Sequence, residues 1–196
     1  NGLYNTGVVT LGASANVKGG AEIDMGGCVG QAYFGNIKNC YNGSSEDTTH
    51  AQGKVVLNYK NNKAHVYMGG VGGYIRVYSG SIHENFYNYA NIETARDFTL
   101  KSHRLRLGGA FGWTYKTAIT KAYNYGNINI TSTATDVSNQ FYIGGCVGRN
   151  DAGYTDIAFA IVENYGNITI DATPSAGAAR AIGGVYATAE YAATFS

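Results

Sequence analysis

Acid–base, nucleophilic or metal chemistry in this 196-residue chain would have to come from thirteen acidic residues, four histidines and three cysteines. Cleavage of a glycosidic bond needs two carboxyl groups held about 5 to 9 Å apart. The acids here, among them Asp24, Glu84, Glu93, Asp151, Glu163 and Asp171, are instead spread along the chain. His50, His65, His83 and His103 occur in no HExxH or HxH arrangement, so the spacing supports no zinc site. Cys28, Cys40 and Cys146 form no CxxC pair, and at least one of the three must stay unpaired within the chain. Glycine pairs are frequent, but no Lys and no helix pattern follows them, as a phosphate cradle would require. The only basic concentration, Arg96, Lys101, His103, Arg104 and Arg106, reads as a solvated arm. No catalytic residue, metal ligand or cofactor is therefore assigned.

The elements that must carry these residues are written in the composition. Gly 28, Tyr 17 and Pro 1 favour turns and pleated sheet over helix. A net charge of +1 offers no field to hold a polyanion, which argues against nucleic acid as a partner. No apolar run approaches the roughly 18 to 20 residues of a membrane-spanning helix, so no membrane insertion is expected.

Two patterns alternate along the chain. One is Met25-Gly26-Gly27-Cys28-Val29-Gly30, Met68-Gly69-Gly70-Val71-Gly72-Gly73, Leu107-Gly108-Gly109-Ala110-Phe111-Gly112, Ile143-Gly144-Gly145-Cys146-Val147-Gly148 and Ile182-Gly183-Gly184-Val185-Tyr186-Ala187. Between its copies lie Tyr4-Asn5-Thr6-Gly7-Val8, Tyr41-Asn42-Gly43, Tyr87-Asn88-Tyr89-Ala90-Asn91-Ile92, Tyr123-Asn124-Tyr125-Gly126-Asn127-Ile128 and Asn164-Tyr165-Gly166-Asn167-Ile168. First glycines at 26, 69, 108, 144 and 183 give periods of 43, 39, 36 and 39, the variation expected of loops inserted into a fixed coil. Short alternating runs imply strands and no run sustains a 3.6-residue period. The reading is an all-β, parallel β-solenoid (β-helix) of about five imperfect repeats, with three strand segments per repeat. Whether a repeat makes one wide coil or two narrow ones is left open by the pattern.

In such a coil equivalent residues stack, so function is read in columns. Cys40, Phe86, Ala122 and Val162 form an apolar column, as do Ile92, Ile128 and Ile168, then Ile130 and Ile170. Asn5, Asn42, Asn88, Asn124 and Asn164 form a structural ladder, whose amides can satisfy backbone groups at a bend and one another. The paired glycines imply positive φ or close backbone approach at a corner. Asp24 stacks with Tyr67, Arg106, Tyr142 and Ala181, which places no second acid beside it. Strand alternation turns Tyr41, Tyr87, Tyr89, Tyr123, Tyr125 and Tyr165 outward if the asparagines point inward. These six are the candidate contacts to a ligand or partner.

The recurring I/M/L-G-G-x-V-G followed by x-Y-N-x-G-N-I resembles the GLUG-type repeats of large secreted bacterial proteins, particularly surface proteins and adhesins of Bacteroidetes. The resemblance covers essentially the whole chain and is weaker in the second repeat, where Tyr41-Asn42-Gly43-Ser44-Ser45-Glu46-Asp47 replaces the G-N-I segment. It implies a right-handed β-helix in an exported protein and transfers no catalytic residue. The expected function is an extracellular structural or adhesive module of a bacterial surface or filament protein, acting by protein or glycan contacts and not as an enzyme. The alternative is a carbohydrate-active β-helix that binds or cleaves polysaccharide. Residues 1–196 read as a single domain, begun inside one repeat and stopped just after the fifth glycine pair without a covering segment. A fragment of a longer chain, or capping by neighbours, is thus expected, with self-association or neighbouring domains at the solenoid ends, and glycans or host and cell-surface proteins as other partners.

Overall fold

The structure is a computed structural model that describes residues 2–12, 20–33, 35–59, 64–76, 83–95, 98, 103–132, 140–151, 157–173, 179–190 and 193–195. Its elements are β1 (Leu3–Asn5), β2 (Val9–Leu11), β3 (Ala21–Gly26), β4 (Val29–Ala32), β5 (Ile37–Asn42), β6 (Val55–Leu57), β7 (Ala64–Gly69) and β8 (Gly72–Arg76). They continue as β9 (His83–Asn88), β10 (Ile92–Thr94), β11 (Arg104–Gly108), β12 (Phe111–Tyr115), β13 (Ile119–Asn124), β14 (Ile128–Thr131), β15 (Gln140–Gly144) and β16 (Val147–Asp151). The last are β17 (Ile157–Asn164), β18 (Ile168–Asp171), β19 (Ala179–Gly183), β20 (Tyr186–Glu190) and β21 (Ala193–Phe195). Among the described residues there is no helix.

Every strand pairs in parallel with the strand four elements along. Sheet 1 runs β1-β5-β9-β13-β17-β21, sheet 2 β2-β6-β10-β14-β18, sheet 3 β3-β7-β11-β15-β19 and sheet 4 β4-β8-β12-β16-β20. One sequence repeat is therefore one wide, four-sided turn, and the chain is a parallel β-solenoid of about four turns. The repeat holds four strands, not the three expected. The extra one follows each glycine pair, as β8, β12 and β16 do, and its internal glycine (Gly73, Gly112, Gly148) obscures the apolar alternation.

The columns read from the sequence are the columns of the fold. Leu3, Cys40, Phe86, Ala122 and Val162 are in register, as are Val9, Val55, Ile92, Ile128 and Ile168. Their side chains fill two separate apolar clusters. Val66, Leu105, Phe141 and the isoleucines of β10 and β14 pack between sheets 2 and 3, and Phe86, Phe111, Ile75 and Val147 between sheets 1 and 4.

The asparagine ladder is buried at the end of sheet 1. Each Nδ2 donates to the Oδ1 of the next turn: Asn5 to Asn42 at 2.8 Å, Asn42 to Asn88 at 2.9 Å, Asn88 to Asn124 at 2.7 Å and Asn124 to Asn164 at 2.7 Å. The second Nδ2 hydrogen of Asn88, Asn124 and Asn164 goes to the carbonyl two residues on, turning the chain into sheet 2. Across the interior, the second glycine of the first four pairs presses on this ladder, while Gly184 of the fifth pair meets nothing. A Cβ on Gly27 would lie 2.1 Å from Asn42 Oδ1, and one on Gly70 2.1 Å from Asn88 Cγ. None of the paired glycines has positive φ, so close approach, and not left-handed backbone, is what requires them.

The weak second repeat also has its explanation. Residues 43–54 are an insertion between β5 and β6, where only three residues connect β1 to β2 and β9 to β10. The Asp47 carboxylate pins that loop by accepting the backbone N–H groups of Thr49 and Gln52, after which Val55 resumes the column.

Asn88→Ala would leave Asn42 Nδ2 and Asn124 Oδ1 buried without partners. At about 1–3 kcal/mol for each stranded group, roughly 2–6 kcal/mol of stability should be lost. Denaturant unfolding measures it, and a loss below about 0.5 kcal/mol would mean that the ladder does not hold the turns together.

Candidate functional site

Because Asn42, Asn88 and Asn124 point inward, the residues beside them point out. The six tyrosines expected outside are brought together with Tyr4 into two ladders on the outer face of sheet 1 and its bend. Tyr4, Tyr41, Tyr87 and Tyr123 stack with centroids 4.7, 5.0 and 5.1 Å apart and planes within 16°. Tyr89, Tyr125 and Tyr165 stack at 4.9 Å each. The ladders touch side by side, Tyr87 against Tyr89 at 6.3 Å and Tyr123 against Tyr125 at 6.4 Å. Ring faces are therefore spent on neighbouring rings, and the edges and hydroxyls are what the surface presents. Tyr4 and Tyr165, which end the two rows, are 74% and 61% exposed. The first ladder ends at Glu163, the register partner of Tyr123, whose carboxylate accepts the Tyr165 hydroxyl and holds that phenol up at about 12. Desolvation within the rows raises Tyr41, Tyr89, Tyr123 and Tyr125 as well, so these phenols stay neutral hydrogen-bonding groups. The Lys38–Glu84 ion pair, 3.0 Å, lies on the same outer face one strand position further along.

A second aromatic constellation was not expected from the sequence. In the corner where sheets 3 and 4 meet, on the outside of the coil, Tyr74 stacks on Trp113 at 4.2 Å and Tyr67 meets the same indole edge-on at 4.9 Å. The Arg106 guanidinium sits 4.3 Å over Trp113 and 5.0 Å over Tyr67. Arg149 lies 5.7 Å over Tyr142, and Arg76 5.0 Å over Tyr115. Asp151 uses both oxygens, one on Trp113 Nε1 at 2.9 Å and one on Arg149 Nε at 2.8 Å. Arg106 is thus 2% exposed and not part of a solvated arm; Arg96 and Lys101 lie outside the described residues. Burial lowers its pKa to about 10, which leaves it charged at neutral pH. The overlooked signal is a spacing of seven residues across the three central glycine pairs: Tyr67 and Tyr74, Arg106 and Trp113, Tyr142 and Arg149.

Among the described residues the acids and histidines do not assemble. Asp24 stacks in register on Tyr67, so Arg106 lies two turns away, and desolvation together with Glu22 raises its carboxyl to about 7. His83, 2% exposed between Ile37 and Ile119 in its column, has neither ring nitrogen hydrogen-bonded, and desolvation lowers its pKa to about 4. His65 and His103 meet edge-to-face at 5.2 Å. Among the described residues no three His, Cys, Asp or Glu side chains could share a metal ion. A cavity of about 390 Å³, bordered by Gly2, Leu3, Asn36, Ile37 and Lys38, contains no acid–base pair.

No family model matches the chain, and neither the curated proteins nor the solved structures include a match to it.

Two outcomes follow from this geometry. Tyr87 touches rings on both faces, so Tyr87→Ala should cost about 1–3 kcal/mol, at roughly 0.5–1.5 kcal/mol per stacked pair. Tyr165→Ala, with one stacked neighbour, should cost less, and equal losses in denaturant unfolding would deny the stacking any role. His83 resists protonation only in the folded state, so its contribution is complete above about pH 6.5 and is lost as pH falls toward about 4. The His83→Ile variant should remove that acid-side loss, of order 3 kcal/mol. Unfolding midpoints at pH 7 and pH 4.5 check it: the difference should shrink in the variant, and an unchanged difference refutes the assignment.

Proposed function

We propose that this chain is a structural and adhesive module of a bacterial surface or filament protein, exported from the cell and acting through surface contacts without catalysis. The observation that carries the reading is the double tyrosine ladder. Its stacked rings form a stiff row of amphipathic edges and hydroxyls on one side of an otherwise self-satisfied coil. Rigid tyrosines give large contact area at little cost in side-chain entropy, because neighbouring rings already restrict them. The winding is taken as right-handed and the units as five GLUG-like repeats, on the strength of the repeat pattern and the rule that parallel crossovers are right-handed.

Edges, and not faces, are offered over most of the row, which favours protein contacts over the face-on stacking a saccharide makes. Glycans remain the second class of partner, with the part-open rings of Tyr4 and Tyr165 as their best purchase. Neighbouring domains or further copies would meet the coil at its two ends, where Leu3, Val8 and Ile182 are exposed. A polysaccharide-cleaving role draws no support from the spread of the acids.

The test compares the folded chain with a Tyr89→Ser, Tyr125→Ser double variant on arrays of glycans and of host and bacterial surface proteins, beside sedimentation of each. Binding or self-association that drops at least tenfold in the variant supports the reading. Absence of any binder together with a monomer at high concentration overturns it, as does product release from a polysaccharide panel.

A further inference from the structure

Cys28 and Cys40 lie twelve residues apart along the chain, yet they pack in one cluster of the interior. Cys28 follows the first glycine pair, at the corner between β3 and β4, and Cys40 sits in the middle of β5 in the next turn. The Cys28 Sγ is 3.4 Å from the carbonyl oxygen of Tyr41, the residue after Cys40. On its other side it approaches the carbonyl of Leu3 at 4.0 Å, and Leu3 is the register partner of Cys40. The sulfur is thus held against the backbone on two sides of Cys40, and both side chains pack in the same apolar cluster. Both are free thiols in the structure.

The third cysteine supplies an internal comparison. Cys146 occupies the same corner three turns on, after Gly144-Gly145, in the column of Cys28, Val71 and Ala110. There the facing strand offers Ala122, whose carbonyl lies 3.7 Å from Cys146 Sγ, and no thiol. Three cysteines therefore divide into one adjacent pair and one isolated, fully enclosed residue.

We propose that Cys28 and Cys40 are a disulfide site, closed by exchange with a small external disulfide and joining the first turn covalently to the second. The half-buried Cys28 is the point of entry. Its thiolate attacks one sulfur of the small disulfide, forming a mixed disulfide and releasing one small thiol. Cys40, deprotonated in turn, attacks Cys28 Sγ; the protein bond forms, the mixed bond breaks, and the second small thiol leaves. The two thiol protons end on the two released thiols, and the two electrons that reduce the small disulfide come from the Cys28 and Cys40 sulfurs, which are oxidised as their bond forms. The bridge crosses the interior where the two turns are otherwise joined by hydrogen bonds and packing, so it opposes their separation. It does not depend on the proposed surface role.

The whole chain is equilibrated in buffers of oxidised or reduced glutathione, acid-quenched, unfolded and alkylated, and its peptides are mapped by mass spectrometry. Reduced protein should show all three thiols. Oxidised protein should show one, at Cys146, and a linked Cys28–Cys40 peptide pair whose mass is lower by two hydrogen atoms. Oxidation should also raise the unfolding midpoint, and Cys146→Ser should leave bridge formation unchanged. Cys40→Ser should instead trap a glutathione adduct on Cys28 and abolish the rise. Retention of all three thiols, a bridge that includes Cys146, or glutathione adducts without a bridge in the unaltered chain would overturn the proposal.

Discussion

A carboxamide buried among apolar side chains has two donors and an acceptor that water can no longer meet, and stranding any of them costs as much as several good packing contacts return. In this coil the partner for each asparagine is the identical group one turn away, 2.7–2.9 Å distant. That requirement locks adjacent turns into one register, since a slip would separate every amide from the next. It also explains the second glycine of the first four pairs, because the amide and the facing backbone carbonyl together leave no volume for a Cβ. The ladder and the glycine corner meet across the interior and lie between the two apolar clusters. The outward tyrosines follow as well, as the residues on either side of an inward asparagine.

The two aromatic systems on the outer surface differ in what they leave available. On sheet 1 and its bend, rings of one kind stack on one another and show their edges. In the corner between sheets 3 and 4, arginines alternate with rings along the axis, and Arg106, Tyr67 and Tyr74 are enclosed. A guanidinium can be buried this way because it is weakly hydrated and its flat face suits an aromatic plane. The corner therefore behaves as a second, external core that braces sheet 4 against sheet 3, while the tyrosine rows are the more open aromatic surface.

Much of this was readable without coordinates, and the failures have specific causes. The Cys40, Phe86, Ala122 and Val162 column and the Asn ladder followed from repeat spacing alone. Sheet 4 was missed because Gly73, Gly112 and Gly148 sit within it, where their lack of side chain breaks the alternation that marks a strand. Those glycines are needed because their α-carbons press on the backbone of sheet 3. Arg106 looked like part of a charged surface run with Arg104, because charge in a sequence carries no information on which rings face it.

The period, the register between turns and the residues that point in or out can all be read from the chain's residue order. Those properties are local or repeat along the axis, and a period-2 alternation inside a repeat encodes both. How the four sides close is a property of the folded coil. The bends at the glycine pairs set which columns face each other across a turn, and that angle is not written in any hydrophobic pattern. From it come the burial of Arg106 against Trp113, the meeting of Gly70 with Asn88, and the placing of Cys28 and Cys40 in one apolar cluster.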